Sequence, residues 1–425
     1  MLARAECGRT RSALPIEPSV PSIQSERRAL LPIFLIVLVD IMGMTIILPL
    51  LPFYAQEFGA SPRQIGLLIA TFAACQLLSG PLLGQLADRF GRKPLLLISQ
   101  IGTLIGFFVL GHASSLLMVF VSRAIDGATA GNLSLAQAYV SDVTSKENRA
   151  KSFAVIGIAF GVGFLLGPAI SGFLSHYGHR YPIYAAQGLS ALSILATALL
   201  LPRAQPRADA GDAGPGGRRL ALLSWGRYAE YFRRPLLASL LYQFFAFGFS
   251  FATFTSGFAL FAERRMTWEG QPFGAKHVGY VFAFAGFLGI ILQGGLIGRL
   301  VKRYGEARLT GAGFAAMGVG YAVLSVVRSV PELLASAAIS TFGQGSLRPA
   351  LTAQITHNSA RDEQGLVLGI AQSLMSVAQI TAPLITGFLI GHGMLHAWAL
   401  MAGAAAGIGL LLNFRQRSQA SRAHD

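Results

Sequence analysis

Charge is what this 425-residue chain has least of. Asp, Glu, Lys and Arg make up 12% of it, where a soluble globular chain carries about 25%. That excludes an ordinary water-soluble fold for most of its length. Cysteine is nearly absent too. Cys7 and Cys75 stand far apart in unlike surroundings, which supports neither a disulfide framework nor a metal site. Acids are outnumbered by bases, 19 to 34. The cations lie between apolar runs and form no aromatic-interleaved patch, which excludes nucleic acid as a partner. No Gly-x-Ser-x-Gly motif occurs, and His112, His176, His179, His277, His357, His392 and His396 cluster at run ends. A hydrolase nucleophile with its base at membrane depth is therefore missing, and no enzymatic activity is expected. The first 28 residues hold no apolar core of signal-peptide length, and Glu6, Glu17 and Glu26 count against a transit peptide.

What is present is apolar length. Hydrophobic residues make up 53% of the chain, and mean hydropathy is +0.55. Twelve apolar runs lie near residues 31–53, 65–86, 94–112, 116–140, 152–174, 182–202, 235–261, 277–298, 309–328, 331–355, 364–390 and 395–414. Each is about 20 residues or more, enough to cross about 30 Å of hydrocarbon. In lipid the backbone must satisfy itself, so these runs are expected to be helices. With both termini on the inner side, 27 of the 34 Lys and Arg face inward. That asymmetry predicts cytoplasmic termini.

Residues 1–29 read as a polar, disordered arm and 415–425 as a tail. Residues 203–234 read as a linker, flexible over Asp209 to Gly217 and basic and aromatic over Trp225 to Arg234. The linker divides the chain into halves at 30–202 and 235–414, and the halves repeat. Gly66 and Gly279 open the second and eighth runs alike. Gly84-x-Leu-x-x-Arg89-Phe-Gly91 returns in the second half as Gly298-x-Leu-x-x-Arg303-Tyr-Gly305. Gly167-Pro168-Ala-Ile-Ser-Gly172 returns, at an offset only one position different, as Ala382-Pro383-Leu-Ile-Thr-Gly387. Two parallel repeats about an axis along the membrane normal are a known transporter architecture. The second copy of the loop has lost this acid, since Lys302 stands where Asp88 would be.

Few charges enter the membrane runs, and each needs a reason, since a central carboxylate costs roughly 2.5–3.5 kcal/mol. Asp40 lies mid-run in the first. Arg123 and Asp126 lie three residues apart in the fourth, hence on one face. Arg348 is an exception near the inner interface of the tenth. These charges admit three readings: an ion pair that fixes packing, a proton-binding acid beside a fixed cation, or a counter-ion for a cationic substrate. In the fifth run, Gly157, Gly161, Gly163, Gly167, Pro168, Ser171 and Gly172 put small residues on neighbouring faces, which permits close helix contact.

The turn Gly84-Gln-Leu-Ala-Asp88-Arg89-Phe-Gly91-Arg92-Lys93-Pro94 resembles the loop between helices two and three of major facilitator transporters. The fifth-run pattern resembles that of the family's antiporters. The first run, Asp40-x-x-Gly43 through Pro49 and Pro52, the fourth-run pair Arg123 and Gly127, and Ala138-Tyr-Val-Ser-Asp142 are similar to the twelve-helix drug:proton antiporter group, the tetracycline-exporter-like branch in particular. The resemblance implies an all-α membrane protein of twelve transmembrane helices in two pseudo-symmetric six-helix bundles. It implies proton coupling through Asp40, Arg123 and Asp126, and an inner gate of Gly84, Asp88, Arg89, Gly91, Arg92 and Asp142, with Asp142 accepting from Arg92. It also implies an antiporter motif at Gly163, Gly167, Pro168 and Gly172. The branch carries acids in its third and ninth helices. Leu95 to Gly111 and Leu309 to Val327 contain none, which argues against tetracycline as the substrate.

Aromatic walls suit flat apolar or cationic compounds, and the seventh run is crowded with them, Phe247 and Phe251 included. Amides inside the runs are candidates for the cavity lining, because hydrocarbon penalises an unpaired amide. Gln76, Gln100, Asn132, Gln137, Gln243, Gln293, Gln344, Gln372 and Gln379 are named on that ground, with helix-to-helix bonding as the alternative for each. The expected function is export of small amphiphilic or drug-like compounds by proton-coupled antiport. Export of sugars, metabolites or siderophore-like compounds is the alternative, and a non-transporting receptor or structural role a further one. The expected partners are a small-molecule substrate, protons and the lipid bilayer, with no cofactor and no metal. The expected setting is a monomer in a bacterial inner membrane.

Overall fold

The computed structural model describes residues 23–143, 149–201, 230–360 and 363–422. Its helices are α1 Ile23–Gln56, α2 Pro62–Phe90, α3 Arg92–Gly111, α4 Leu116–Ala128, α5 Asn132–Val143, α6 Arg149–Leu174 and α7 Arg180–Leu200 in the first half. The second half has α8 Pro235–Arg265, α9 Ala275–Ile291, α10 Ile297–Tyr304, α11 Glu306–Val326, α12 Val330–His357, α13 Gln364–Gly391 and α14 Leu395–Arg422. α4 with α5 make the fourth span. α9 and α10, joined by a π-turn at Leu292–Leu296, make the eighth. Among the described residues ten spans are each long and apolar enough to cross a membrane. The two others are the fourth, which is split, and the tenth, which spends its polar residues inward. On that span Ser336 Oγ donates to the Gly320 carbonyl at 2.7 Å, and Gln344 Nε2 donates to the Tyr321 hydroxyl at 3.1 Å.

The termini of the spans follow from local chemistry. Ser61 caps α2 in a reciprocal box with Gln64, which satisfies two orphan helix donors. Gly91 ends α2 and begins α3 at φ +93° and ψ 156°. Gly305 does the same between α10 and α11 at φ +79° and ψ 160°. Both positions need a residue without Cβ. They are equivalent positions of the two loop copies, so the repeat seen in sequence is a repeat of backbone geometry. Lys93 Nζ donates to the carbonyls of Ala198 and Leu201 at 2.8 and 2.6 Å, closing the end of α7.

Packing obeys the same two-fold. In the first half α1 lies on α6 and α7, and α3 on α4 and α7. In the second half α8 lies on α13 and α14, and α11 on α12 and α14. The halves meet along two seams, α2 with α13 and α6 with α9. At one end of the molecule both seams are backbone to backbone. A Cβ on Gly279 would fall 2.7 Å from Gly172 Cα and from the Pro168 carbonyl. One on Gly387 would fall 2.5 Å from the Pro62 carbonyl, and one on Gly66 would collide with the Pro383 carbonyl. Arg63 joins His392 across this end at 2.7 Å and sits over the Phe388 ring, while Gln56 donates to Glu263 at 2.9 Å. At the other end the seams part: a Cβ on Gly80, Gly84, Gly157, Gly294, Gly298, Gly365 or Gly369 would meet nothing within 4 Å. The molecule is closed at one end and splayed at the other.

Several expected boundaries move. The fourth run is not one helix, because α4 stops at Ala128 and the chain restarts at Asn132. The eighth is interrupted where Gly295 adopts φ +146°. Helix α1 begins at Ile23, inside the expected arm, and α14 runs on to Arg422, inside the expected tail. A two-residue hairpin, β1 Thr267–Trp268 with β2 Gln271–Pro272, interrupts the all-helical expectation. Its turn residues Glu269 and Gly270 both have positive φ, 51° and 77°, as a type I′ turn requires. The linker lies outside the described residues up to 229. Its last residues are held by Arg234, which makes a two-pronged contact to Glu363 at 2.7 and 3.0 Å. That hydrogen bonding holds the Glu363 carboxyl below its ordinary range.

The sealed end makes a prediction. Gly279→Leu should force α6 and α9 apart at a cost of about 1–3 kcal/mol to the closed end. Spin labels placed across the seam should report a longer distance than in the parent. An unchanged distance distribution would show that the seam does not depend on backbone contact.

Candidate functional site

The first half contains a polar layer. Asp40 on α1 is half-buried and accepts from Ser193 Oγ of α7 at 2.8 Å. Ser193 in turn accepts from Gln100 Nε2 of α3 at 2.8 Å. Gln100 is fully buried, and its Oε1 has no partner. On α4, Arg123 Nη1 and Asp126 Oδ2 meet at 3.0 Å, with 5% and 7% of each residue exposed. The Arg123 guanidinium also stands 5.8 Å from the centre of the Phe107 ring, and its Nη2 is buried without a partner. The Thr103 hydroxyl lies beside the Asp126 carboxylate. So Arg123 and Asp126 neutralise each other, whereas Asp40 is held by neutral donors and no cation touches it. Asp40 and the pair belong to one layer but make no direct hydrogen bond or ion pair with each other.

The glycines explain how these groups come so close. A Cβ on Gly106 of α3 would fall 3.0 Å from Asp126 Cβ and 3.2 Å from the Ser122 carbonyl, and one on Gly102 would collide with Thr129. The fifth-run motif works in two directions. Gly163 and Gly167 of α6 press on Ile41 and Thr45 of α1, close to Asp40 in sequence, and Thr45 Oγ1 donates to the Gly163 carbonyl at 2.9 Å. Gly172 and the Pro168 carbonyl press on Gly279 of the other half. One helix thus links the acid's surroundings to the seam between halves.

The break in the fourth span is satisfied by its neighbours. Ser99 of α3 donates to the Thr129 carbonyl and accepts from Gly131 N at 3.0 Å. Ser79 of α2 donates to the Gly127 carbonyl at 3.0 Å, and Gln76 Nε2 reaches the Ala130 carbonyl at 3.4 Å. Backbone freed by a broken helix is tolerated at membrane depth only when protein groups take it up.

The loop residues are arranged as follows. Asp88 and Arg92 pair at 2.6 Å across one turn, and the Arg89 guanidinium stands 5.3 Å from the Phe90 ring centre. Arg303 stands 5.3 Å from Tyr304 in the repeat. The Asp142 side chain lies outside the described residues, so its expected partnership with Arg92 has no geometry here. Gly84 is open on the splayed end.

The amide candidates divide. Gln243 is fully buried, donating to Gln416 at 2.7 Å and accepting from Asn413 at 3.4 Å, inside the second half. Its amide is spent on helix contact, and so is that of Gln76. Gln344 is bound to Tyr321. Phe247 is buried and stacked on the half-buried Phe251, ring centres 6.0 Å apart. Asn132 and Gln137 are half-buried, the former with an unpartnered Oδ1, and Gln372 is exposed. The hydroxyls that organise the layer, Ser193, Ser99 and Thr45, escaped the sequence reading. A lone Ser or Thr in an apolar run looks the same whether or not it meets a carboxylate from another helix.

Two six-helix halves, joined at small-residue seams and open at one end, define a multi-pass membrane transporter of small molecules. The family profile of the Major Facilitator Superfamily matches residues 33–306 and 294–424. The chain belongs to that superfamily. It is similar to tetracycline resistance protein, class B, of Escherichia coli, 29% identical over 87% of this chain and 91% of that one. It is also similar to quinolone resistance protein NorA of Staphylococcus aureus (strain MRSA252), 29% identical over 84% and 87%. In fold it matches the solved nucleoside transporter NupG, with a TM-score of 0.72 at 14% identity over 92% of this chain and 98% of that one.

The buried pair is open to test. Asp126→Asn leaves Arg123 buried and unmatched and should cost roughly 3–5 kcal/mol. The double change Arg123→Met with Asp126→Leu should recover most of that loss. Thermal unfolding of the purified variants in detergent measures both. A single variant as stable as the double would remove the pair from the packing account.

Proposed function

We propose that the chain is a proton-coupled antiporter that exports small amphiphilic, drug-like compounds by alternating access. The observation that carries the reading is the state of Asp40. It is a half-buried acid at membrane depth, bound by the neutral donor Ser193 and without a fixed counter-charge. A carboxyl so placed can hold a proton in one conformation and release it in another. Asp126, matched to Arg123, is a poorer candidate and serves to hold the layer. The names of the relatives support the direction of transport: one is a tetracycline resistance protein and another a quinolone resistance protein.

The geometry supports a rocking motion between bundles at 30–202 and 235–414. The sealed end carries the connections with few cations, and the splayed end carries the loop with Asp88, Arg89, Arg92 and Lys93. Under the positive-inside rule the structure is then open to the cytoplasm, with both termini on that side of a bacterial inner membrane, and the chain acts as a monomer. The gate residues Gly84, Asp88, Arg89, Gly91, Arg92 and Asp142 lie on the side that must close in the opposite state. Gly84 lies as far along α2 from Gly66 as Gly365 lies along α13 from Pro383, the backbone partner of Gly66. Helical rise is uniform along the two spans, so the two glycines are level across the open mouth. Cysteines at 84 and 365 should therefore cross-link when the outer side opens, and not in the conformation described here. Equal cross-linking in both states, read on denaturing gels, would contradict the rocking motion.

A membrane potential of about 100 mV is worth about 2.3 kcal/mol per proton, or roughly fifty-fold accumulation. In proteoliposomes with an imposed proton gradient, Asp40→Asn should bring that accumulation down to none, while exchange of labelled for unlabelled substrate continues. Ser193→Ala should leave coupling in place but shift its pH dependence. Coupled accumulation by Asp40→Asn at the parent's level would end the proton-site reading.

A further inference from the structure

We propose that Arg348 is the substrate's anion-binding residue, and hence that the compounds exported carry a carboxylate or similar oxyanion beside their apolar body. The inference rests on the exporter reading and names the substrate class for it.

Arg348 lies on α12, about 13 Å from that helix's end at His357 by helical rise. Its neighbour Leu347 is buried against Gly313 of α11, and Ala350 and Leu351 are buried as well. Arg348 itself is exposed, although protein surrounds it densely. A side chain both crowded and open lines an internal crevice; one that reached toward lipid headgroups would have far less protein about it. One turn earlier on the same face, Gly345 stands against Leu292, the first residue of the π-turn in the eighth span. Helix defects of that kind recur at functional sites.

Among the described residues nothing matches this charge. Among the described residues the guanidinium has no hydrogen-bond or ion-pair partner; only the backbone carbonyl of Arg348 is used, by Thr352 Oγ1 at 2.8 Å. Helices α8 to α14 hold just three acids, Glu263, Glu306 and Glu332, all at helix ends. Glu332 is about 24 Å up the same helix, and Glu306 is taken by His357 at 3.3 Å. Asp40 cannot be the missing partner in this conformation, since it faces Ser193 inside its own half. Arg123 shows what a structural arginine looks like here: buried, paired and stacked. Arg348 is none of these.

A guanidinium stays charged at any physiological pH and offers a planar fork that matches a carboxylate. An unmatched cation at membrane depth marks a substrate or ion path. The inward-open crevice admits a compound from the cytoplasm or the inner leaflet, and the anion would complete the pair that the protein leaves open.

The test uses a xanthene dye and its methyl ester, which differ only in whether the carboxylate is free. Fluorescence anisotropy measures binding to the full-length protein in detergent, and dye flux is measured in proteoliposomes. The parent should bind the free acid about tenfold or more tighter than the ester, the range of a hydrogen bond to a charged group. Arg348→Gln should lose that preference while holding the ester within about twofold, and Arg348→Lys should keep part of it. A parent that binds both forms equally, or neither, overturns the assignment. So does an Arg348→Gln variant that weakens both forms alike, since that is what an anchoring or packing role predicts. A clear acid preference without gradient-driven flux would sink the exporter reading and leave the anion site standing. Flux of the ester alone would do the reverse.

Discussion

Backbone must touch backbone for this molecule to close. At Gly172 with Gly279, and at Gly66 and Gly387 with the Pro383 and Pro62 carbonyls, no side chain larger than hydrogen fits. In lipid there is no hydrophobic gain from bringing helices together, so association rests on close packing and on polar groups that cross between helices. Glycine supplies the first at both seams. The four sites are related by the internal two-fold, and all lie at one end. The seams therefore act as paired hinges: contact is dense where the halves touch and absent where Gly80, Gly84, Gly365 and Gly369 look into open space. The open glycines are as informative as the closed ones, because a residue in contact with nothing has no packing reason to be small in this conformation.

The second constraint is that low dielectric punishes any polar group left alone. The first half meets it by matching. Arg123 takes Asp126, Ser99 and Ser79 take the carbonyls freed at the α4–α5 break, and Ser193 takes Asp40. The remaining imperfections around the layer are few and local: Gln100 Oε1, Arg123 Nη2, and the hydroxyls of Ser190 and Thr197. Three of these four belong to α3 and α7, the helices that face Asp40. A layer with spare donors and acceptors around one acid can satisfy that acid in either protonation state. A fully matched layer would fix it in one.

Much of this was legible in the residues, and the reason is periodicity. Hydrophobic length marked the spans, and the recurrence of the Gly84 loop at Gly298 marked the two-fold, because both are carried by residues adjacent in sequence. Gly163, Gly167 and Gly172 were legible as a close-contact face, although nothing in the sequence says that two of them serve α1 and the third serves α9. What could not be read was anything decided across helices. The break at Ala128 to Asn132 is stable only because Ser79 and Ser99 come from elsewhere. Gln243 and Gln344 looked like cavity amides until Gln416 and Tyr321 appeared beside them. Gly295, with φ +146°, sits in an ordinary-looking apolar run whose small residues give no sign of a π-turn.

The scaffold is symmetric and its charges are not, and the asymmetry separates motion from coupling. Gly91 and Gly305 make the same turn, and Arg89 and Arg303 stack on the same kind of ring, so both halves can rock by the same geometry. Only the first half keeps an acid at the Asp88 position of the turn and an acid in the layer; the second has Lys302 at that position, with Glu306 following Gly305, and among the described residues its helical carboxylates lie only at span ends. In the proposed cycle the first half binds the proton and the second presents a cation, with the crevice between them. A symmetric pair of acids would let either half titrate without the other. With one acid in one half and one unmatched arginine in the other, the empty crevice is neutral, a proton alone leaves it with one positive charge, and an anionic cargo alone leaves it with one negative charge. Charge balance alone favours binding the two together, so exchange rests on the rocking motion, in which each loaded state crosses without the other ligand.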